Sequence, residues 1–119
     1  MKVLIVEDDI ASCLLLTRTL KKFSREVLQV KTGIEAIDAC RNNPDVDLIL
    51  MDIRMPGMTG YEATRQIRGF NKDVIIIAQT AEVFAGDKEK AIEAGCNEYL
   101  SKPIDQDELM GLIRKYFSV

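Results

Sequence analysis

The segment 48–62 reads LILMDIRMPGMTGYE and contains a complete strand–loop–helix unit. Leu48 to Met51 is a fully apolar run of strand length, which is typical of a strand buried on both faces. Asp52 follows it directly, and Pro56-Gly57 marks a loop. Residues 59–62 form a capping box, in which a threonine and a glutamate satisfy the first backbone amides of a helix. The segment therefore predicts a buried strand, an acidic strand end and a helix.

The same alternation of strand and helix signals runs through the rest of the chain. The predicted strands are 3–6, 27–30, 48–51, 74–78 and 98–101, and the predicted helices are 10–23, 32–41, 59–69, 84–94 and 105–117. Strands separated by helices pair in parallel, because a parallel crossover needs about a dozen residues or more. Five such units are too few for a closed eight-stranded barrel. We therefore predict one α/β domain, 1–119, with an open doubly wound sheet.

The composition limits the functions that the chain can have. Its 119 residues carry 16 Lys and Arg against 19 Asp and Glu, and this net charge of −3 argues against direct nucleic acid binding. No apolar run approaches the ~20 residues that span a bilayer, so we expect no membrane segment. Histidine is absent, which excludes Ser-His-Asp and Cys-His catalysis. The three cysteines have no CxxC spacing, so we expect free thiols in a reducing, cytoplasmic location.

Acidic residues follow two of the predicted strands. Ligands of doubly wound sheets bind beyond the carboxyl ends of the strands. Asp8 and Asp9 come after the first strand, and Asp52 after the third, so three carboxylates converge and repel one another if these strands are neighbours. Lys102 after the fifth strand, or Mg²⁺ with its preference for oxygen ligands, would offset the repulsion. A simpler interpretation stays open, in which Asp9 only caps the first helix and Asp52 is a loop acid.

Other phosphate-binding designs do not fit the chain. It has neither a GxGxxG nor a GxxxxGK[ST] loop. Acids after the first strand would repel a flavin phosphate, and Arg54 stands where a dehalogenase-type phosphatase has a second aspartate. A carboxylate that accepts a phosphoryl group remains, with Asp52 as nucleophile and Lys102 and the Thr80 hydroxyl as donors to the phosphoryl oxygens. An interaction module that never binds phosphate and a small hydrolase stay open as alternatives.

Four motifs at the predicted strand ends resemble the receiver domain of two-component response regulators. They are VEDD at 6–9, MDIRMPGMTG at 51–60, TA at 80–81 and YLSKP at 99–103. The runs at 66–68, 77–81 and 94–99 are similar to receivers fused to hybrid histidine kinases. The chain would then be a stand-alone receiver or a part of a longer kinase. The resemblance implies a flavodoxin-like (βα)5 receiver fold with strand order 2-1-3-4-5.

The resemblance also implies how the site works. Asp52 would take a phosphoryl group from the phosphohistidine of a histidine kinase or of a histidine phosphotransfer domain. Mg²⁺, which Mn²⁺ can replace, would be held by Asp8 and Asp9, directly or through water, together with Asp52 and the backbone carbonyl of Arg54. Lys102 would pair with the phosphoryl group, and the bond between Lys102 and Pro103 would be cis.

Further implied roles concern the response to phosphorylation. Thr80 would move its hydroxyl onto the phosphoryl group, and Tyr99 would swing inward. This would alter the surface of helix 4, strand 5 and helix 5, through which we expect a phosphorylation-dependent dimer. Arg54 and Glu82 carry opposite charges at the mouth of the site. An ion pair between them would obstruct the water that hydrolyses the acyl phosphate, so we expect slow self-dephosphorylation. We expect no other enzymatic activity.

Overall fold

Five strands and five helices alternate along the chain in the computed structural model, which describes residues 1–22, 24–81 and 86–117. The elements are β1 (Lys2–Val6), α1 (Ile10–Leu20), β2 (Glu26–Val30), α2 (Gly33–Asn42), β3 (Leu48–Asp52), α3 (Gly60–Arg68), β4 (Ile75–Thr80), α4 (Asp87–Ala94), β5 (Glu98–Ser101) and α5 (Gln106–Tyr116). The strands form one parallel sheet in the order β2-β1-β3-β4-β5. The predicted fold class and strand order are confirmed.

The sheet is covered on both faces, which explains why its central strands are apolar throughout. Every residue of β1 and β3 is buried. Alternate β1 side chains point to opposite faces of the sheet. Leu4 packs in the core under α2 and α3, and Ile5 packs in the core under α1 and α5. Successive strand side chains point to opposite faces, so a strand with alternating polar residues would have placed polar side chains in one of these two cores.

The helices begin where the sequence places capping residues. The Thr32 hydroxyl accepts from the Glu35 amide over 3.1 Å, and Glu35 Oε1 in turn accepts from the Lys31 amide over 3.1 Å. The Thr59 hydroxyl caps α3 in the same way, at 3.2 Å from the Glu62 amide. Within the described ranges, no helix has the length and apolar character needed to cross a membrane.

Among the described element ends, the observed boundaries differ from the predicted ones by more than one residue at α1 and β4. Helix α1 ends at Leu20, and β4 runs from Ile75 to Thr80, beyond the predicted end at residue 78. The extension of β4 follows from its pairing with β5, in which Thr80 is opposite Ser101. Phe117, the predicted last residue of α5, is its C-cap and follows the last helical residue, Tyr116. The predicted start of helix 4 at residue 84 lies outside the described residues.

Candidate functional site

The carboxyl ends of β1, β3, β4 and β5 bring ionisable and hydroxyl side chains to one edge of the sheet. β1 and β3 are neighbours, with Val6 opposite Met51, so the residues that follow them meet. Glu7, Asp8 and Asp52 each offer a carboxylate oxygen, and these oxygens all lie within 4.8 Å of one another. The convergence of carboxylates that the sequence predicts is therefore present, with Glu7 as one of its members.

Lys102 supplies a positive charge to this acidic cluster. Its Nζ donates to Glu7 Oε1 over 2.6 Å and lies 3.5 Å from Asp52 Oδ2. The Lys102 side chain is only 18% exposed, and the peptide bond between Lys102 and Pro103 is cis. Burial alone would lower the pKa of Lys102, but the hydrogen bond to Glu7 and the charge of Asp52 outweigh it and raise the pKa. The ammonium is thus fixed in its charged form between two buried carboxyls.

One ammonium does not neutralise three carboxyls, and Asp52 shows the effect. Burial, followed by the neighbouring Glu7 carboxyl, raises the pKa of Asp52 from 3.8 to about 7, although Lys102 acts in the opposite direction. The Arg54 amide also donates to Asp52 Oδ1, over 3.3 Å. In the absence of a further cation, the Asp52 carboxylate is therefore held in an unfavourable charged environment.

The structure places Glu7 in the cluster where the sequence analysis placed Asp9. Asp9 is exposed, and its Oδ2 accepts from the Ser12 amide over 3.0 Å and from the Ser12 hydroxyl over 2.6 Å. These hydrogen bonds lower the pKa of Asp9. Asp9 therefore caps α1, and a magnesium role for it stays a prediction that its carboxylate contacts do not support. Asp9 and Ser12 have the spacing of an N-cap, which leaves Glu7 and Asp8 as the acids after β1 that can face Asp52.

The predicted switch residues lie on β4 and β5, the two strands that follow β3 in the sheet. Thr80 ends β4 and is buried, and its carbonyl accepts from the Lys102 amide over 2.7 Å. The Tyr99 hydroxyl is buried and has no hydrogen-bond partner among the residues that the structure describes. Glu82 lies outside those residues, so its pairing with Arg54 stays a prediction. The Arg54 guanidinium Nη2 lies 3.9 Å from Asp87 Oδ2 at the start of α4.

A glycine fixes the loop that follows Asp52. The Gly60 amide donates to the Ile53 carbonyl over 3.0 Å, which closes the loop between β3 and α3. A Cβ atom at Gly60 would collide with the backbone oxygen of Asp52 and would lie 2.8 Å from the Ile53 Cα. The first turn of α3 therefore packs directly on the backbone that carries the Asp52 side chain, an approach that only glycine permits.

The donor set fits a hard divalent cation. All three acids offer carboxylate oxygens, which Mg²⁺ prefers, and Asp8 is exposed while Glu7 and Asp52 are buried. Glu7 Oε2 is buried without a hydrogen-bond partner within the described part of the chain. An unsatisfied buried carboxylate oxygen is costly, and a cation at this position would compensate it.

Comparison with known proteins agrees with this geometry. The family model "Response regulator receiver domain" matches residues 3–114. The sensor protein GacS of Pseudomonas syringae pv. syringae is 35% identical over 120 residues, which cover 97% of this chain and 13% of GacS. The chain thus spans a small part of that relative.

Solved structures also match the whole chain. One is the Saccharomyces cerevisiae co-crystal of the histidine phosphotransfer protein Ypd1 with the receiver domain of Ssk1 (TM-score 0.89, 35% identity, 98% of this chain and 88% of that chain). Another is the receiver domain of the sensor histidine kinase PA1611 from Pseudomonas aeruginosa PAO1, with magnesium in its active site cleft (TM-score 0.85, 35% identity, 99% and 98% of the two chains). The chain belongs to the response regulator receiver domain family, and its relatives include the receivers of hybrid sensor histidine kinases.

Proposed function

We propose that this receiver domain takes a phosphoryl group from a phosphohistidine onto Asp52 and thereby changes the surface it presents to partners. The observation that carries the proposal is the position of the Asp52 carboxylate, buried between two other acids and 3.5 Å from the Lys102 ammonium. The donor class is supported by the similar receiver that binds the histidine phosphotransfer protein Ypd1. A histidine kinase or a histidine phosphotransfer domain is therefore the proposed partner.

The transfer needs a nucleophile and stabilisation of the transferred group. An Asp52 carboxylate oxygen forms a bond to phosphorus, while the nitrogen–phosphorus bond of phosphohistidine breaks and its electron pair stays on the imidazole. The imidazole leaves in neutral form when its other nitrogen carries a proton. Lys102, already held at the site by Glu7, donates to a phosphoryl oxygen. The product is an acyl phosphate on Asp52.

The carboxylates of Glu7, Asp8 and Asp52 are the proposed ligands of Mg²⁺, which Mn²⁺ can replace. The resemblance adds the backbone carbonyl of Arg54, and Asp9 directly or through a water molecule. The bound cation supplies charge neutralisation for the acids and for the phosphoryl oxygens. The similar PA1611 receiver, with magnesium in its cleft, supports this assignment. Glu7 Oε2, which is buried without a hydrogen-bond partner among the described residues, supports it as well.

The proposed response uses Thr80 and Tyr99. Thr80 ends the strand beside β3, where its hydroxyl can turn onto a phosphoryl oxygen, and the Tyr99 hydroxyl lies buried without a described partner. The altered surface would comprise α4, β5 and α5, and a phosphorylation-dependent dimer through it is part of the proposal. Arg54 and Glu82 would slow self-dephosphorylation. Three free cysteines suit the proposed cytoplasmic location, and the net charge of −3 suits a domain without direct nucleic acid contacts.

Phosphoramidate tests the proposal, because its nitrogen–phosphorus bond resembles that of phosphohistidine. The chain is incubated with phosphoramidate and Mg²⁺, and intact mass is measured. We expect a gain of one phosphoryl group that EDTA prevents and that Asp52→Asn abolishes. Asp38→Asn, an exposed position on α2, is the matched control and should be modified like the wild type. Equal modification of Asp52→Asn and wild type would overturn the proposal.

A further inference from the structure

A charged contact joins the loop after β3 to the start of α4. Arg54 Nη2 lies 3.9 Å from Asp87 Oδ2, and Asp87 is the first residue of α4. The Asp87 side chain is 2% exposed and that of Arg54 is 44% exposed. The Tyr61 hydroxyl donates to the Asp87 carbonyl over 3.4 Å. Arg54 in the loop and Tyr61 on α3 therefore both contact the first residue of α4.

The Arg54 side chain is attached close to the phosphoacceptor. Arg54 is two residues beyond Asp52 in the chain, and its backbone amide donates to Asp52 Oδ1 over 3.3 Å. A phosphoryl group on Asp52 would carry almost two negative charges and three acceptor oxygens. Guanidinium groups bind phosphoryl oxygens through charge-assisted hydrogen bonds, and the Asp87 carboxylate offers only one charge. Phosphorylation would thus create a stronger competitor for the same guanidinium.

We propose that the Arg54–Asp87 ion pair is a latch on α4, which phosphorylation of Asp52 opens by drawing the Arg54 guanidinium to the phosphoryl group. This inference rests on the proposed function and adds a regulatory contact to it. Arg54 acts as a positioning residue, because it influences α4 through Asp87.

The burial of Asp87 explains why the latch would affect the helix. A buried carboxylate is destabilising unless a nearby positive charge offsets it. If Arg54 moves away from Asp87, keeping Asp87 buried costs more free energy, so the first turn of α4 would open more often. The effect would extend to the predicted switch residue Tyr99. Burial, followed by the charge of Asp87, raises the pKa of Tyr99, and the charge of Arg54 lowers it.

Amide hydrogen exchange of the full chain tests the latch. The Lys90 amide donates to the Gly86 carbonyl over 3.0 Å and reports opening of the first turn of α4. With Mg²⁺ present, we expect beryllofluoride, a phosphoryl mimic, to accelerate exchange of this amide in the wild type about threefold to fivefold. Arg54→Ala should show this acceleration without beryllofluoride and gain little on its addition. Arg54→Lys should restore part of the protection, and Arg65→Ala, exposed on α3, should match the wild type.

The outcomes separate the latch from the proposed function. If Arg54→Ala exchanges as slowly as wild type before beryllofluoride is added, the latch is refuted. It is also refuted if beryllofluoride accelerates exchange equally in Arg54→Ala and wild type. In both cases the fluorine NMR signal of bound beryllofluoride would still support the proposed function. If that signal never appears, or persists in Asp52→Asn, the proposed function fails, and the phosphorylation dependence of the latch fails with it.

Discussion

Replacing the phosphoacceptor should stabilise the metal-free protein. Asp52→Asn removes a charge that is buried beside Glu7 and Asp8 and is only partly compensated by Lys102. The pKa of Asp52 is raised from 3.8 to about 7, which means that the folded state binds the proton more tightly than the unfolded state. The contribution of Asp52 to the free energy of unfolding should therefore be most favourable below about pH 4. It should become less favourable as the pH rises towards 7.

The size of the effect follows from the same values. Each tenfold change in proton affinity corresponds to about 1.4 kcal/mol, so a rise from 3.8 to about 7 sets a ceiling of about 4 kcal/mol. Relaxation and solvent near the rim reduce this, and we expect Asp52→Asn to gain about 1–3 kcal/mol at pH 8 in EDTA. The gain should shrink to a few tenths of a kcal/mol near pH 4, where the wild-type carboxyl is protonated.

Urea unfolding at pH 4, 6 and 8 in EDTA measures this difference. Asp38→Asn is the control for an exposed aspartate and should stay within about 0.5 kcal/mol of wild type throughout. Added Mg²⁺ should stabilise the wild type by mass action and have a much smaller effect on Asp52→Asn, which reverses their order. If Asp52→Asn is no more stable than wild type at pH 8 in EDTA, or if its gain does not depend on pH, the electrostatic account of the cluster is wrong.

Three further variants test other contacts by urea unfolding in EDTA. Lys102→Ala should cost about 2–4 kcal/mol at pH 8, because it leaves buried carboxylates without their ammonium; a cost below about 0.5 kcal/mol would contradict this. Gly60→Ala should cost about 2 kcal/mol or more, because the added Cβ would meet backbone atoms. Gly111→Ala, with open space around it on α5, should gain about 0.5–1 kcal/mol, and equal effects of the two substitutions would refute the steric argument. Arg68→Ala loses hydrogen bonds to two carbonyls and one side-chain amide and should cost about 2–3 kcal/mol, against less than about 0.5 for exposed Arg65→Ala.

The order of strands and helices could be predicted from local signals. The apolar run Leu48–Met51 and the threonine N-caps at Thr32 and Thr59 act within a few residues, and they appear in the structure where the sequence places them. The end of β4 could not be predicted in this way, because Thr80 belongs to the strand through its pairing with Ser101 of β5. The strand order itself rested on resemblance to a family and not on local patterns.

The site was predictable as a location but not in every side chain. Consecutive acids after β1 all qualify by position, and the choice among them depends on which one the first helix uses as its cap. Asp9 caps α1, and this leaves Glu7 and Asp8 beside Asp52. The contact between Arg54 and Asp87 was also beyond the sequence, because it depends on where the loop after β3 meets α4. Such contacts arise from tertiary packing and leave no local pattern.

Chemical location of the phosphoryl group tests directly whether Asp52 is the phosphoacceptor. The chain is treated with phosphoramidate and Mg²⁺ and then with borohydride, which reduces an aspartyl phosphate to homoserine, and its peptides are sequenced by mass spectrometry. We expect homoserine at position 52 alone, dependent on Mg²⁺ and strongly reduced in Glu7→Gln. Homoserine at another acid, or a phosphoryl group that borohydride leaves in place, would contradict it.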